Sequence, residues 1–174
     1  MPIAPRNRDC VVLKRGESIT VSLSDGLLAS GWQGGQGVVW TAPAVGVDEF
    51  KVGVSDGWVA GLLLDGSNES GDQYTGLTGN QVAYGYAVLC YGNWLLMTRT
   101  IERYTWASRQ GGPLVDIVYV ESAPLFLSLE GKLTTEDEFT LSGDPRAPNT
   151  SYIGYVCQVP SVDNDYYLTF QMSA

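Results

Sequence analysis

The chain has 174 residues, of which 44% are hydrophobic, 11% aromatic and only 17% charged, with 21 glycines and a formal net charge of −9. That length fits one domain able to bury a core without staples, and the negative field argues against both a phosphate backbone and an anionic membrane surface as partners. Low charge with many glycines and aromatics favours strands and turns over solvated helices.

The first residues carry Pro2 and Pro5, which fix φ and remove backbone donors, so residues 1–10 read as an extended N-terminal arm preceding a β-rich domain over 11–174. Pro2, Ile3, Pro5, Arg6 and Arg8 are candidate contacts for a partner. An extended backbone, one apolar side chain and two guanidiniums suit docking on a carboxylate-bearing neighbour. Val11–Leu13 is a short apolar run, and Ser18–Leu23 alternates with period two. Asp25-Gly26 reads as a turn. The Gly/Gln-rich stretch Gly31–Gly37 reads as a flexible loop in which Trp32 is the best candidate for an exposed contact. Gly37–Thr41 and Glu49–Val54 read as strands, and Asp56-Gly57 as a hairpin turn into Trp58–Leu64.

Asp65–Asn80 is polar and Gly-rich, a long loop; Val82–Tyr91 is a long strand turning through Gly92-Asn93 into Leu95–Arg99. Thr100–Arg109 is the one short helix candidate, without a good cap. Val115–Val120 and Leu125–Leu129 are further strands, Thr134–Asn149 an acidic and then Pro-rich loop, and Tyr152–Val159 and Tyr166–Phe170 the last two strands. Strands at this spacing predict an all-β fold, a single β-barrel or β-sandwich. Cys10, Cys90 and Cys157 are an odd number without short spacing, which is no disulfide framework. Cys90 and Cys157 lie in apolar runs and are expected to be buried thiols. No apolar leader and no membrane-length run is present, so folding in a reducing cytoplasm is expected, with the sequons at Asn68 and Asn149 unused.

Catalytic chemistry is hard to assemble from these residues. There is no histidine, which removes the commonest general base, and the glycine-rich loop lacks the Lys-Ser/Thr ending of a phosphate-binding loop. Asp48-Glu49 and Glu136-Asp137-Glu138 offer carboxylates, but neighbours on a strand point to opposite faces, whereas glycoside hydrolysis needs two carboxylates at a fixed separation. The acidic run reads as a solvated loop. Asp65, Asn68, Glu69 and Asp72, or Asp163-Asn164-Asp165, lack calcium-loop spacing and read as turns. The expectation is a non-enzymatic protein with no cofactor and no metal.

One set of segments points further: Asp116-Ile117-Val118-Tyr119-Val120, then Gly131-Lys132-Leu133-Thr134-Thr135, then Ile153-Gly154-Tyr155-Val156, then Tyr167-Leu168-Thr169-Phe170. This succession resembles the closing strands of tailed-bacteriophage capsid decoration, or cement, proteins. The resemblance implies a β-barrel or sandwich that binds the major capsid protein and stabilises the icosahedral shell of the virion, often as a homo-oligomer. A tail or fibre component is the near variant. The alternative reading is a carbohydrate-binding β-sandwich, motivated by Trp32 and by Tyr84, Tyr86 and Tyr91.

Overall fold

The computed structural model describes residues 8–41, 46–50, 58–67, 85–146 and 150–173. Its strands are β1 (Cys10–Lys14), β2 (Glu17–Leu23), β3 (Gln36–Trp40), β4 (Gly46–Asp48), β5 (Val59–Leu63), β6 (Tyr86–Gly92), β7 (Leu95–Thr98), β8 (Pro124–Leu127), β9 (Leu133–Thr134), β10 (Tyr152–Gln158) and β11 (Leu168–Met172). Helix among the described residues is limited to α1 (Asp25–Ser30), α2 (Trp106–Arg109), α3 (Glu138–Leu141) and a 3-10 turn at Val162–Asn164. The fold is all-β, as the alternating pattern predicts.

Five strands close a barrel in the order β2-β4-β3-β5-β6, with β6 returning to β2. The β2–β4 pair is parallel and the others are antiparallel. The barrel interior holds Val21, Leu23, Val38, Val47, Leu63 and Leu89, and Leu27 of α1 enters the same core. The other six strands form an antiparallel sheet, β1-β7-β11-β10-β8-β9. Its inner face carries Leu96, Leu125, Leu127, Ile153, Phe170 and Met172, packed with Leu62 and Cys90 from the barrel wall. Leu62 and Leu63 thus feed two different cores, because successive side chains on a strand point to opposite faces. Gly61 lets these strands approach: it sits at φ 148°, and a Cβ there would lie 2.1 Å from the Cys90 carbonyl oxygen.

Several local expectations are corrected. Asp25-Gly26 begins a helix, because the Ser24 hydroxyl accepts from Leu27 N–H (3.2 Å) as an N-cap. The Thr100–Arg109 helix shrinks to α2, and it does have a cap: Thr105 Oγ1 accepts from Ser108 N–H at 3.3 Å. Val115–Val120 joins neither sheet. Cys90 is buried as expected, but Cys157 is exposed, on a strand whose register shifts between Val156 and Gln158. The apolar run around it reflects inward-facing neighbours, not its own position. The Asp56-Gly57 turn, most of the Glu49–Val54 strand and the loop beyond Ser67 lie outside the described residues.

Candidate functional site

The residues named from sequence do not come together. Pro2, Ile3, Pro5 and Arg6 lie outside the described residues. Arg8 turns its side chain inward, pairing with Asp65 at 2.8 Å, while its carbonyl accepts from Arg99 Nη2 (3.0 Å) and from the Tyr167 hydroxyl. Trp32 is only 8% exposed. Its indole N–H donates to the Asp65 carbonyl (2.6 Å), which corrects the expectation of a surface contact and makes it a strap between two loops. Trp94 is a core residue whose indole donates to Glu17 O (2.6 Å), whereas Trp58 is exposed.

A different region gathers the features of a site. Between β7 and β8 the chain leaves the sheet and folds back on itself. Thr105 N–H donates to Val115 O (3.1 Å) and Ile117 N–H to Arg103 O (2.8 Å), a short antiparallel bridge centred on Tyr104 and Asp116. Ser108 of α2 fixes its start: the hydroxyl donates to Pro113 O (2.7 Å) and accepts from Val115 N–H (2.9 Å). Tyr119 fixes its end, its hydroxyl donating to Glu102 O at 2.6 Å. The segment is extended and pinned along one side, yet its aliphatic side chains stand in solvent. Leu114 is 73% exposed, Val115 53%, Val118 77% and Val120 56%.

Beside it lies a groove of about 910 Å³, lined on one wall by Asp116–Tyr119 and on the other by Val159, Pro160 and Tyr166. The second wall is a tied turn: Ser161 N–H donates to Asn164 Oδ1 (2.8 Å) and Asn164 Nδ2 to Val159 O (2.9 Å). Asp165 and Tyr166 both take left-handed backbone, at φ 54° and 61°. For an aromatic residue that conformation costs about 1–2 kcal/mol. The turn thereby holds the Tyr166 ring, 60% exposed, at the rim.

Behind the groove is a buried charge cluster that sequence patterning did not reveal. Arg109 stands between Glu102 (3.5 Å to Oε2) and Glu138, to which its Nη2 donates a short hydrogen bond. The Ser128 hydroxyl donates to Glu102 Oε1 (2.8 Å), and Leu129 N–H lies 3.4 Å from Glu138 Oε1. Burial pushes both carboxyls up against the opposing pull of Arg109, Glu138 to about 7. One cation between two buried carboxylates offsets that burial only in part. The expected solvated acidic loop is corrected in consequence: Glu138 is fully buried, Asp137 caps α3, and Glu136 accepts from Trp106 N–H at 2.9 Å. Glu102 and Arg109 lie seven residues apart and Glu138 comes 29 residues after Arg109, a spacing that no local motif marks.

This cluster braces the groove wall, to which Glu102 contributes. Glu138 has no solvent access, and the Glu102 carboxylate is engaged by Ser128 and Arg109. The charged residues that line the groove are Arg99, Glu102, Arg103 and Asp116, of which Arg103 and Asp116 face each other at 3.4 Å. Among the described residues no group of three or more Cys, Asp or Glu side chains is placed to hold a metal ion. No described helix is long and apolar enough to cross a membrane. Comparison of the chain with protein-family models, curated proteins and solved structures finds no match.

Proposed function

We propose that this chain is a non-catalytic virion component, a decoration protein that binds the major capsid protein and stabilises the shell, acting as a homo-oligomer and needing no cofactor, nucleic acid or membrane. The observation that carries its role as a binding domain is the exposed aliphatic face of Leu114–Val120 beside the Val159–Tyr166 turn. A contiguous apolar patch held on a rigid frame has a cost in solubility and marks an interaction surface. The placement on a shell rests on the sequence resemblance of the closing segments, and the −9 charge fits a subunit that must stay soluble before it is incorporated. Pro2, Ile3, Pro5 and Arg6 are proposed as auxiliary contacts from the N-terminal arm. The carbohydrate-binding alternative loses its main residue, since Trp32 is buried.

The test is co-sedimentation of the purified chain with empty shells assembled from the major capsid protein of its own virion. Saturable binding at a fixed number of copies per shell is expected. A chain that stays in the supernatant over shells, at concentrations up to tens of micromolar, overturns the proposal.

A further inference from the structure

We infer that the Leu114–Val118 edge takes up an extended strand of a different, basic polypeptide by β-sheet addition. This rests on the binding-domain reading above and names the mode and chemistry of the partner. In an extended chain successive residues aim their backbone groups to opposite sides. Val115 and Ile117 aim theirs at Arg103 and Thr105. The N–H and C=O groups of Leu114, Asp116 and Val118 therefore point the other way, and no described backbone group pairs with them. An exposed, apolar, unpaired edge is a template for one more strand.

Charge selects the occupant. The groove beside the edge is lined by Arg99 and Arg103 with Glu102 and Asp116, Arg99 being half-buried over the Tyr167 ring, and the exposed charges that follow in sequence on its two walls, Glu121, Asp163 and Asp165, are all acidic. A second copy is disfavoured by register. The antiparallel self-pairing that uses all three open residues places Asp116 opposite Asp116, and like charges directly across a strand pair are destabilising. A strand that alternates apolar residues with Lys or Arg satisfies both the aliphatic face and Asp116.

The probe is an end-capped heptapeptide alternating valine with lysine. It is compared with its glutamate-for-lysine counterpart and with a version N-methylated at alternate backbone nitrogens, each titrated into the full chain and followed by amide NMR shifts. The lysine peptide is expected to shift residues 103–105 and 114–120, and the other two to bind at least about tenfold more weakly. Leu114→Lys with Val118→Lys, both at exposed positions, should abolish binding while leaving the melting temperature unchanged. Equal binding of the acidic peptide, shifts centred elsewhere, or a dimer of the free chain that Leu114→Lys dissolves would overturn the inference. The two readings fail separately. If the double variant decorates shells as well as the parent, the edge is wrong and decoration stands; if the parent binds the lysine peptide but no shell, decoration is wrong and the edge stands.

Discussion

Glu138→Gln gives the sharpest test of the cluster that holds the groove wall. Glu138 is fully buried, and its folded pKa is about 7 against an ordinary 4.5. Between those values the folded protein keeps a proton that the unfolded chain has released, so stability falls as pH rises through the window. The sign is opposite to that of a salt-bridged surface carboxylate. A displacement of this size corresponds to about 3 kcal/mol, present in full below pH 4.5 and lost by somewhat above pH 7. Gln keeps an acceptor for Arg109 but carries no charge, and it leaves Arg109 to Glu102 alone. Urea denaturation at pH 4.5 to 8 should therefore show the wild type losing about 3 kcal/mol more than the variant across this range. The two stabilities should converge or cross near neutral pH. Arg109→Met is the complementary change: at pH 8 it strands two buried carboxylates and should cost about 3–5 kcal/mol, less at pH 5. Parallel pH profiles for the wild type and Glu138→Gln would refute this account.

Three further outcomes follow from packing. Gly61→Ala should destabilise by about 3 kcal/mol or more, read from urea midpoints, because the new methyl would press on the Cys90 carbonyl at a φ of 148°. Trp32→Phe should cost about 1–2 kcal/mol by leaving the Asp65 carbonyl without its indole donor, with little change in the circular dichroism spectrum. A thiol reagent applied to the native protein should titrate one cysteine rapidly, Cys157, and a Cys157→Ser variant should show none, since Cys10 and Cys90 are buried and desolvation raises the Cys90 thiol pKa further.

Period-two alternation made the strands legible, since a pleated chain with one or two buried faces leaves that signature whatever its pairing. Pairing itself was not legible: Val115–Val120 carries the same pattern as β10, yet no described backbone group pairs along its outer edge at Asp116 and Val118. Composition misled where glycine serves contact and not mobility. In the loop around Trp32, a Cβ on Gly35 would lie 2.6 Å from Thr98 Oγ1, so that loop is packed and its tryptophan is inside. The Glu102–Arg109–Glu138 cluster was hidden because it is assembled from two separate stretches, and charges in a polar stretch look the same whether solvated or buried. The exposed side of the site was present in the sequence as an aliphatic run; only the structure separates an edge strand from a central one.

The length of the open edge limits how tightly one copy can hold. Pro113 precedes it, and beyond it Ser122 takes left-handed backbone at φ 68° before Pro124 starts β8, so the edge offers three outward residues and cannot grow into a long ladder. A short edge is also one of the devices that keep proteins from pairing with their own copies. Rigidity offsets part of the deficit. Ser108, Arg103, Thr105 and Tyr119 already fix the backbone, so little freedom of this chain remains to be lost when a strand is added. A single site of this kind fits micromolar or weaker binding, roughly 8 kcal/mol or less. An oligomer bearing several such edges against a repeating surface converts the later contacts into intramolecular ones, and avidity can then exceed the single-site affinity by about 10²–10⁴ without any new contact. A repeating shell provides that geometry and a lone soluble partner does not. On the decoration reading, isolated peptides should therefore bind weakly and release fast, while the assembled protein stays on the shell.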